Sequence, residues 1–219
     1  MAYHRSNPHN SLLPSMRILV TAGPTREHID AVRFLSNGST GSMGYALAEA
    51  AQKLGHTVFL VSGPTNLQPP KGVERIPVVS ARDMYKEVTS RFPEVDLVIM
   101  NAAVCDYRPR RKRSLKMKKQ GGDLTLDLIP NPDILQALGR RKKHQRLMGF
   151  ALETHQGLTY ARSKLERKNL DWIVLNNPSA MGAERVDATL LTAKGDIQDW
   201  KHLTKRQLAR QLVLTATRP

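Results

Sequence analysis

The sequence predicts an α/β fold, a doubly wound and mostly parallel sheet followed by an antiparallel hairpin at the C-terminus. Three observations predict it. Short aliphatic runs of strand character alternate along the chain with helical segments. The first two strands run into the same turn, Gly-Pro-Thr. The composition, 40% hydrophobic but only 5% aromatic, suits an aliphatic interior between a sheet and its helices. With 219 residues the chain is long enough to bury one proper core. Residues 1–15 read as a flexible leader and 16–219 as a single domain without an interior linker.

Met16–Gly23 (MRILVTAG) is an aliphatic strand entering a turn, and Met43–Leu54 has Ala/Leu helical composition that Gly55 stops. His56–Thr65 (HTVFLVSGPT) is the second strand. Ala81–Arg91 reads as a helix and Asp96–Ala103 as the third strand. Leu124–Pro130 (LTLDLIP) alternates with period two, the pattern of an edge strand. A helix starts at Asp133 behind Asn131-Pro132, a plausible capping turn. Leu147–Leu152, a helix over Gly157–Lys168 and Asp171–Asn176 continue the alternation. Asp187–Trp200 then forms two strands around a Lys-Gly-Asp turn, before the amphipathic helix Lys205–Leu214. The plan is Rossmann-like.

The chain carries 34 Lys and Arg against 19 Asp and Glu, a net charge of +15 that implies acidic partners. Eight of the first twelve residues of Arg108–Gln120 (RPRRKRSLKMKKQ) are basic, and this arm follows the carboxyl end of an apolar strand. Open α/β sheets bind ligands at such ends, so the arm suits a triphosphate or a nucleic acid. The segment TAGPTREHIDAVRFLSNGSTGSMG delivers small residues into a helix start, where backbone N–H groups can approach an anion. It is neither G-x-G-x-x-G nor a P-loop, and a plain strand-to-helix turn would read the same. The single cysteine, Cys105, forbids an internal disulfide and points to a reducing, cytoplasmic setting. It reads as a small buried residue, not a nucleophile. The leader has no apolar core of a signal peptide, and no run approaches the ~18 apolar residues of a membrane span. The histidines show no metal-ligand spacing.

Several segments, in order, carry a resemblance: GPTREHIDAVRFLSNGSTGSMGYALAEAA, VSGPT, NAAVCDYRP, KMKK, NPDIL, GFALET and ARSKLERKNLDWIVLN. Together they resemble the phosphopantothenate–cysteine ligases (phosphopantothenoylcysteine synthetases) of coenzyme A assembly, over roughly Arg17 to the C-terminus. In many bacteria this domain follows a flavin-dependent decarboxylase. Nothing here resembles that partner, so the resemblance implies a stand-alone ligase without flavin. It further implies that CTP, with Mg²⁺, activates 4'-phosphopantothenate as an acyl-cytidylate, which the amine of L-cysteine then attacks. The metal would be held mostly by phosphates and water.

Residue by residue, the resemblance assigns Asp106 and Lys116 to the nucleotide, and Pro132, Asp133, Ile134, Leu135 and Phe150 to the wall around base and ribose. Lys164 and Lys168, four apart on a helix, share one face and would reach the triphosphate. Asn37, with Arg33, Ala102 and Ala103, would hold the acyl-cytidylate and phosphopantothenate, the Asn37 amide serving as a donor to the acyl oxygen. Asn37 and Lys116 are the catalytic candidates. Asp106 could bind Mg²⁺ or nucleotide hydroxyls. By residue type alone, Lys164 and Lys168 would be a solvated face, Asn37 a turn residue, Asp133 a helix cap and Phe150 core.

The resemblance also implies a homodimer, for which LTLDLIP and the terminal hairpin are the candidate contacts. The chain departs from it at Ser42, where lysine is common, and in the extra basic runs Arg110–Arg113 and Arg140–Arg146. The rival reading is a basic nucleic-acid-binding protein, but two Trp, four Phe and five Tyr spread along the chain make no stacking platform. A nicotinamide-dependent oxidoreductase shares the plan but would need G-x-G-x-x-G, which is missing from the sequence.

Overall fold

The structure is a computed structural model and describes residues 14–119, 121–152, 157–176 and 184–218. The chain opens with β1 (Arg17–Ala22), in which every residue after Arg17 is buried. A strand covered on both faces reads as a continuous apolar run. Its side chains divide between two cores, Ile18, Val20 and Ala22 to one and Leu19 to the other. A short ribbon of β2 (Arg26–His28) and β3 (Phe34–Ser36) precedes α1 (Ser42–Lys53). Then come β4 (Thr57–Ser62), β5 (Glu74–Pro77), α2 (Ala81–Arg91) and β6 (Leu97–Met100).

A second ribbon, β7 (Tyr107–Pro109) with β8 (Leu128–Pro130), leads to α3 (Ile134–Arg141) and β9 (Arg146–Leu152). The chain closes with α4 (Gly157–Arg167), β10 (Trp172–Asn176), β11 (Arg185–Thr192), β12 (Ile197–Thr204) and α5 (Lys205–Thr217). Polar caps set three of the helix starts. Ser80 and Thr204 each form a capping box, with Asp83 and Gln207, and Asp133 accepts the Gln136 N–H at 3.0 Å.

The main sheet runs β12-β11-β10-β9-β6-β1-β4-β5. The six strands from β5 to β10 are parallel, and β11 and β12 add the antiparallel hairpin. From β1 at the centre the chain winds outward first to β4 and β5, then in the other direction through β6, β9 and β10. The winding therefore reverses between β1 and β6, and a crevice is expected outside their carboxyl ends. On one face Leu47 of α1 and Leu212 and Val213 of α5 share a core with Ile18 and Val20. On the other, Met84 and Val88 of α2, Leu138 of α3 and Leu165 of α4 pack with Leu19 and Val61.

The predicted doubly wound sheet and terminal hairpin are both present. Three features differ from the sequence reading. The strand β5 and both ribbons were not expected. Of Leu124–Pro130 only the last three residues are extended, and they pair with β7 rather than forming an edge of the main sheet. Leu124 and Leu128 are exposed, so this alternation reflects no buried face. The third strand stops at Met100, because beyond it the backbone turns to meet the first Gly-Pro-Thr turn. The leader expected over residues 1–15 lies outside the described residues except for Pro14 and Ser15.

The repeated Gly-Pro-Thr has a packing reason. Gly23, at φ +72°, lies with its Cα against the carbonyl of Gly63 in the second turn, and a Cβ on Gly63 would drive into the Pro24 carbonyl. We therefore expect Gly63→Ala to destabilise the fold by about 3 kcal/mol. That would lower the thermal midpoint by roughly 6–12 °C in a circular dichroism melt. An unchanged midpoint would mean that the two turns can separate without cost.

Candidate active site

Two adjoining cavities open at the carboxyl ends of the central strands. The larger, about 460 Å³, is lined by Ala102, Asp106, Pro132, Asp133, Ile134, Leu135, Phe150, Lys164 and Lys168 among others. The smaller, about 230 Å³, is lined by Gly38–Met43, Ala102, Ala103, Phe150, Asn176 and Lys205 among others. Ala102 and Phe150 belong to both and form the wall between them.

Backbone contacts across the β1/β6 reversal hold this wall. The Ala103 N–H donates to the Gly23 carbonyl at 3.0 Å, and the Ala103 carbonyl accepts from Thr25 N–H at 3.2 Å. The buried Thr21 hydroxyl oxygen accepts from the N–H groups of Asn101 and Ala102, both at 3.1 Å. These are donors that the end of β6 would otherwise leave unpaired. Asn37 adds its amide, donating through Nδ2 to the Ala103 carbonyl at 3.0 Å. The second hydrogen of that amide has no acceptor among the described residues.

In the larger cavity, Lys168 and Asp133 form an ion pair at 2.6 Å, with the Lys168 side chain largely buried. Burial pushes the Asp133 carboxyl upward, but the Lys168 hydrogen bond, the Gln136 N–H and the charges of Lys168 and Lys164 outweigh it and hold it below its usual value. Lys164 donates to the Phe150 carbonyl at 3.0 Å. Asp106 is exposed and stands in no ion pair among the described residues. Asn131 joins the walls: its Nδ2 donates to the Cys105 carbonyl at 2.9 Å and its N–H to the Asp106 carbonyl at 2.7 Å. Cys105 itself is buried. Burial raises its thiol above the usual value, and the neighbouring Glu27 and Asp106 carboxylates add to this against a Thr25 hydrogen bond. A thiol held protonated fits the reading of Cys105 as a packing residue.

Arg33, Asn37 and Lys116 line neither cavity, although Asn37 directly precedes Gly38, which lines the smaller one. Arg33 pairs with the fully buried Asp30 at 3.1 Å and donates to the Met117 carbonyl, next to the exposed Lys116. Asp30 also accepts from the N–H groups of Val32 and Arg33 at 2.8 Å and of Met117 at 3.1 Å. The Arg33 and Val32 backbone bonds come first among the causes that lower its carboxyl to about 2. The basic arm is thus tied down at Met117 and again where the Arg113 N–H reaches the Ile29 carbonyl at 2.9 Å. The two extra basic runs are partly occupied: Arg110 pairs with Asp127, Lys142 with Asp171, and Arg146 donates to the Ala216 and Arg218 carbonyls.

Two polar cavity residues beyond the quoted motifs matter most among those that the sequence reading did not name. Asn176 ends β10, and its buried Oδ1 has no hydrogen-bond partner among the described residues. A polar residue closing the apolar run WIVLN at a carboxyl strand end was the available signal. Lys205 stands at the start of α5 with Nζ 3.0 Å from Ser42 Oγ, so an ammonium group lies beside Ser42 after all. Nothing local to Lys205 announces this. Among the described residues no group of three or more His, Cys, Asp or Glu could hold a metal ion. None of the described helices is long and apolar enough to cross a membrane.

Asp30 makes the arm testable. With its folded value near 2 and an unfolded value of ~3.9, the anchor is fully present above about pH 4 and is lost as pH falls toward 2. At pH 7, Asp30→Asn replaces the acceptor oxygens with an amide that satisfies only some of these donors. Trypsin should then cut within residues 108–119 ~10-fold faster. An unchanged cutting rate would show that Asp30 does not hold the arm.

The DNA/pantothenate metabolism flavoprotein C-terminal domain family matches residues 13–218. The coenzyme A biosynthesis bifunctional protein CoaBC of Bacillus subtilis is 52% identical over 181 residues, covering 82% of this chain and 45% of that protein. Its counterpart in Vibrio parahaemolyticus is 48% identical over 174 residues, covering 78% and 44%. The chain thus spans less than half the length of these relatives. A crystal structure of the C-terminal domain of CoaBC superposes with a TM-score of 0.83 at 42% identity, covering 95% of this chain and 96% of that one. A Cab2 mutant in complex with phosphopantothenate-cysteine shares the fold, with a TM-score of 0.78 at 18% identity over 92% of this chain and 86% of that one. Family, relatives and fold agree, and the chain belongs to the DNA/pantothenate metabolism flavoprotein C-terminal domain family.

Proposed function

We propose that the chain joins 4'-phosphopantothenate to L-cysteine with CTP, through an acyl-cytidylate, as the ligase step of coenzyme A biosynthesis. One observation carries the reading: two cavities, one lined with lysines and one with small residues and hydroxyls, share the wall of Ala102 and Phe150. Membership of a family whose relatives are named for coenzyme A biosynthesis supports it.

The larger cavity takes the nucleotide, with Pro132, Ile134, Leu135 and Phe150 around base and ribose and with Lys164 and Lys168 toward the phosphates. Asp133 holds Lys168 in position until the triphosphate arrives. The smaller cavity takes the acid, whose carboxylate meets the nucleotide at the shared wall. A carboxylate oxygen attacks the α-phosphorus, the bond to the β-phosphate oxygen breaks, and pyrophosphate leaves. The amine of cysteine then attacks the acyl carbon and gives up a proton, and CMP departs with the electron pair of the acyl–oxygen bond. Asn37, anchored on Ala103, offers its remaining amide hydrogen to the oxyanion formed in this second step. Mg²⁺ would neutralise triphosphate charge during the first step. The residues fit an ion carried mainly by the nucleotide, since among the described residues the cavity supplies one carboxylate without an ion pair, Asp106.

The enzyme would work as a cytoplasmic homodimer. The neighbouring ribbons β2–β3 and β7–β8 expose Val32, Phe34, Tyr107 and Leu128, with Leu115 and Leu124 from the arm. A second copy seated there would cover this apolar face. The same segments carry Arg33 and Lys116, so pairing would also explain why these two lie outside one protomer's cavities.

The reaction is tested by mixing protein with Mg²⁺, phosphopantothenate and cysteine, with CTP or ATP, and following pyrophosphate and the amide product. Product formed with CTP supports the reading; product with ATP alone corrects the nucleotide, and no product with either sinks it. Lys168→Gln should depress pyrophosphate release ~10²-fold. Asn37→Asp separates the steps: in a single turnover it should release pyrophosphate but form amide ~10²-fold more slowly. Equal loss of both steps would make Asn37 a loop residue only.

A further inference from the structure

We propose that Lys205 is the cation that recognises the phosphate of the acid substrate, so that it selects the phosphorylated acid over the unphosphorylated one. The identity of that acid rests on the ligase reading above. Lys205 opens α5 directly after the capping box of Thr204 and Gln207, which fixes where its side chain starts. Its Nζ is 3.0 Å from Ser42 Oγ across the mouth of the smaller cavity. Among the described residues no carboxylate pairs with it. Nearby acidic groups are already taken, since Glu49 pairs with Lys53 at 2.6 Å and with Arg206 at 3.5 Å.

A half-buried ammonium without a counter-ion loses hydration with little in return. Lys168 and Lys142 are similarly placed, and each has its aspartate. Ser42 makes the unmet demand larger. Its oxygen accepts from Lys205 and from the Thr40 hydroxyl at 3.1 Å, which leaves its own hydroxyl hydrogen to donate elsewhere. Two donors, one of them charged, therefore converge at this end of the cavity with no anionic acceptor among the described residues. The orphaned Asn176 Oδ1 in the same cavity marks it as a place for a polar occupant. The carboxylate of the acid must lie at the Ala102–Phe150 wall to reach the nucleotide. The anion left for Lys205 is then the group at the other end of the molecule, the phosphate.

The test compares phosphopantothenate with pantothenate, in steady-state turnover and in calorimetric binding without nucleotide. Lys205→Met should raise KM and Kd for phosphopantothenate ~10- to 100-fold, the range for losing a charge-assisted hydrogen bond, and should scarcely change either for pantothenate. Lys205→Arg should keep most of the selectivity. Adding Ser42→Lys to Lys205→Met should restore part of it by returning a charge to the same place. A purely structural role would weaken both ligands equally, and that result, or an unchanged ratio, overturns the proposal. Should Lys205→Met fail to fold, Lys205→Gln carries the same comparison. Tight phosphopantothenate binding without turnover would sink the ligase reading and leave Lys205 in place. Turnover with an unaltered ratio in the variant does the reverse, and wild-type protein that binds both acids equally also overturns the role of Lys205.

Discussion

The backbone of Ala103 carries the contacts on which the site depends. Parallel strands end with unpaired amide groups, and a sheet wound outward from its centre leaves a gap where the two directions part. Here the gap between β1 and β6 is bridged by Ala103, whose N–H reaches Gly23 and whose carbonyl takes the Thr25 N–H and the Asn37 amide. That pairing holds Ala102, one side of the wall, against the turn that follows β1. The Gly-Pro-Thr turns brace it from the other side, since Gly63 fits against Pro24 only without a side chain.

Around this frame the charges are matched one at a time. Asp133 takes Lys168, Asp171 takes Lys142, Asp127 takes Arg110 and Asp30 takes Arg33. Each pairing fixes a basic side chain in place at the cost of its availability to a ligand. Lys168 is nevertheless well suited to a phosphate, because a triphosphate can share or replace the Asp133 oxygen without the lysine having to be reoriented. Lys205 is held by a neutral hydroxyl instead, so its charge is the less compensated of the two.

How much of this was legible follows from where the information lies. Buried parallel strands are continuous aliphatic runs, so β1, β4, β6, β9 and β10 could be read from composition and length. The strand β5 could not: it is an edge strand of four residues, two of them the exposed Glu74 and Arg75, ending in Pro77. The three-residue ribbons are too short for any period to show, and LTLDLIP misled because alternation without burial carries no structural weight. In the site, the larger cavity brings together the nucleotide residues that the resemblance named, except Lys116, several of them in segments such as NPDIL. Asn37, by contrast, comes to the wall through its bond to Ala103, 66 positions away. Lys205 lies 163 residues from Ser42, and only the packing of α1 against α5 joins them.

A shared wall also constrains the order of events in the proposed reaction. The activated acid must stay bound while pyrophosphate leaves and cysteine enters, or the acyl-cytidylate is lost to water. An intermediate that spans both cavities satisfies this, with its cytidylate part held by Lys164, Lys168 and the Pro132–Leu135 wall and its acyl chain in the smaller cavity. The reacting carbonyl then sits at the boundary, beside the Asn37 amide that is anchored to the Ala103 backbone. Holding both ends while the centre reacts lowers the entropy that the second step would otherwise lose. In the proposed reaction, the division into two cavities would thus let one wall serve two different bond-making events.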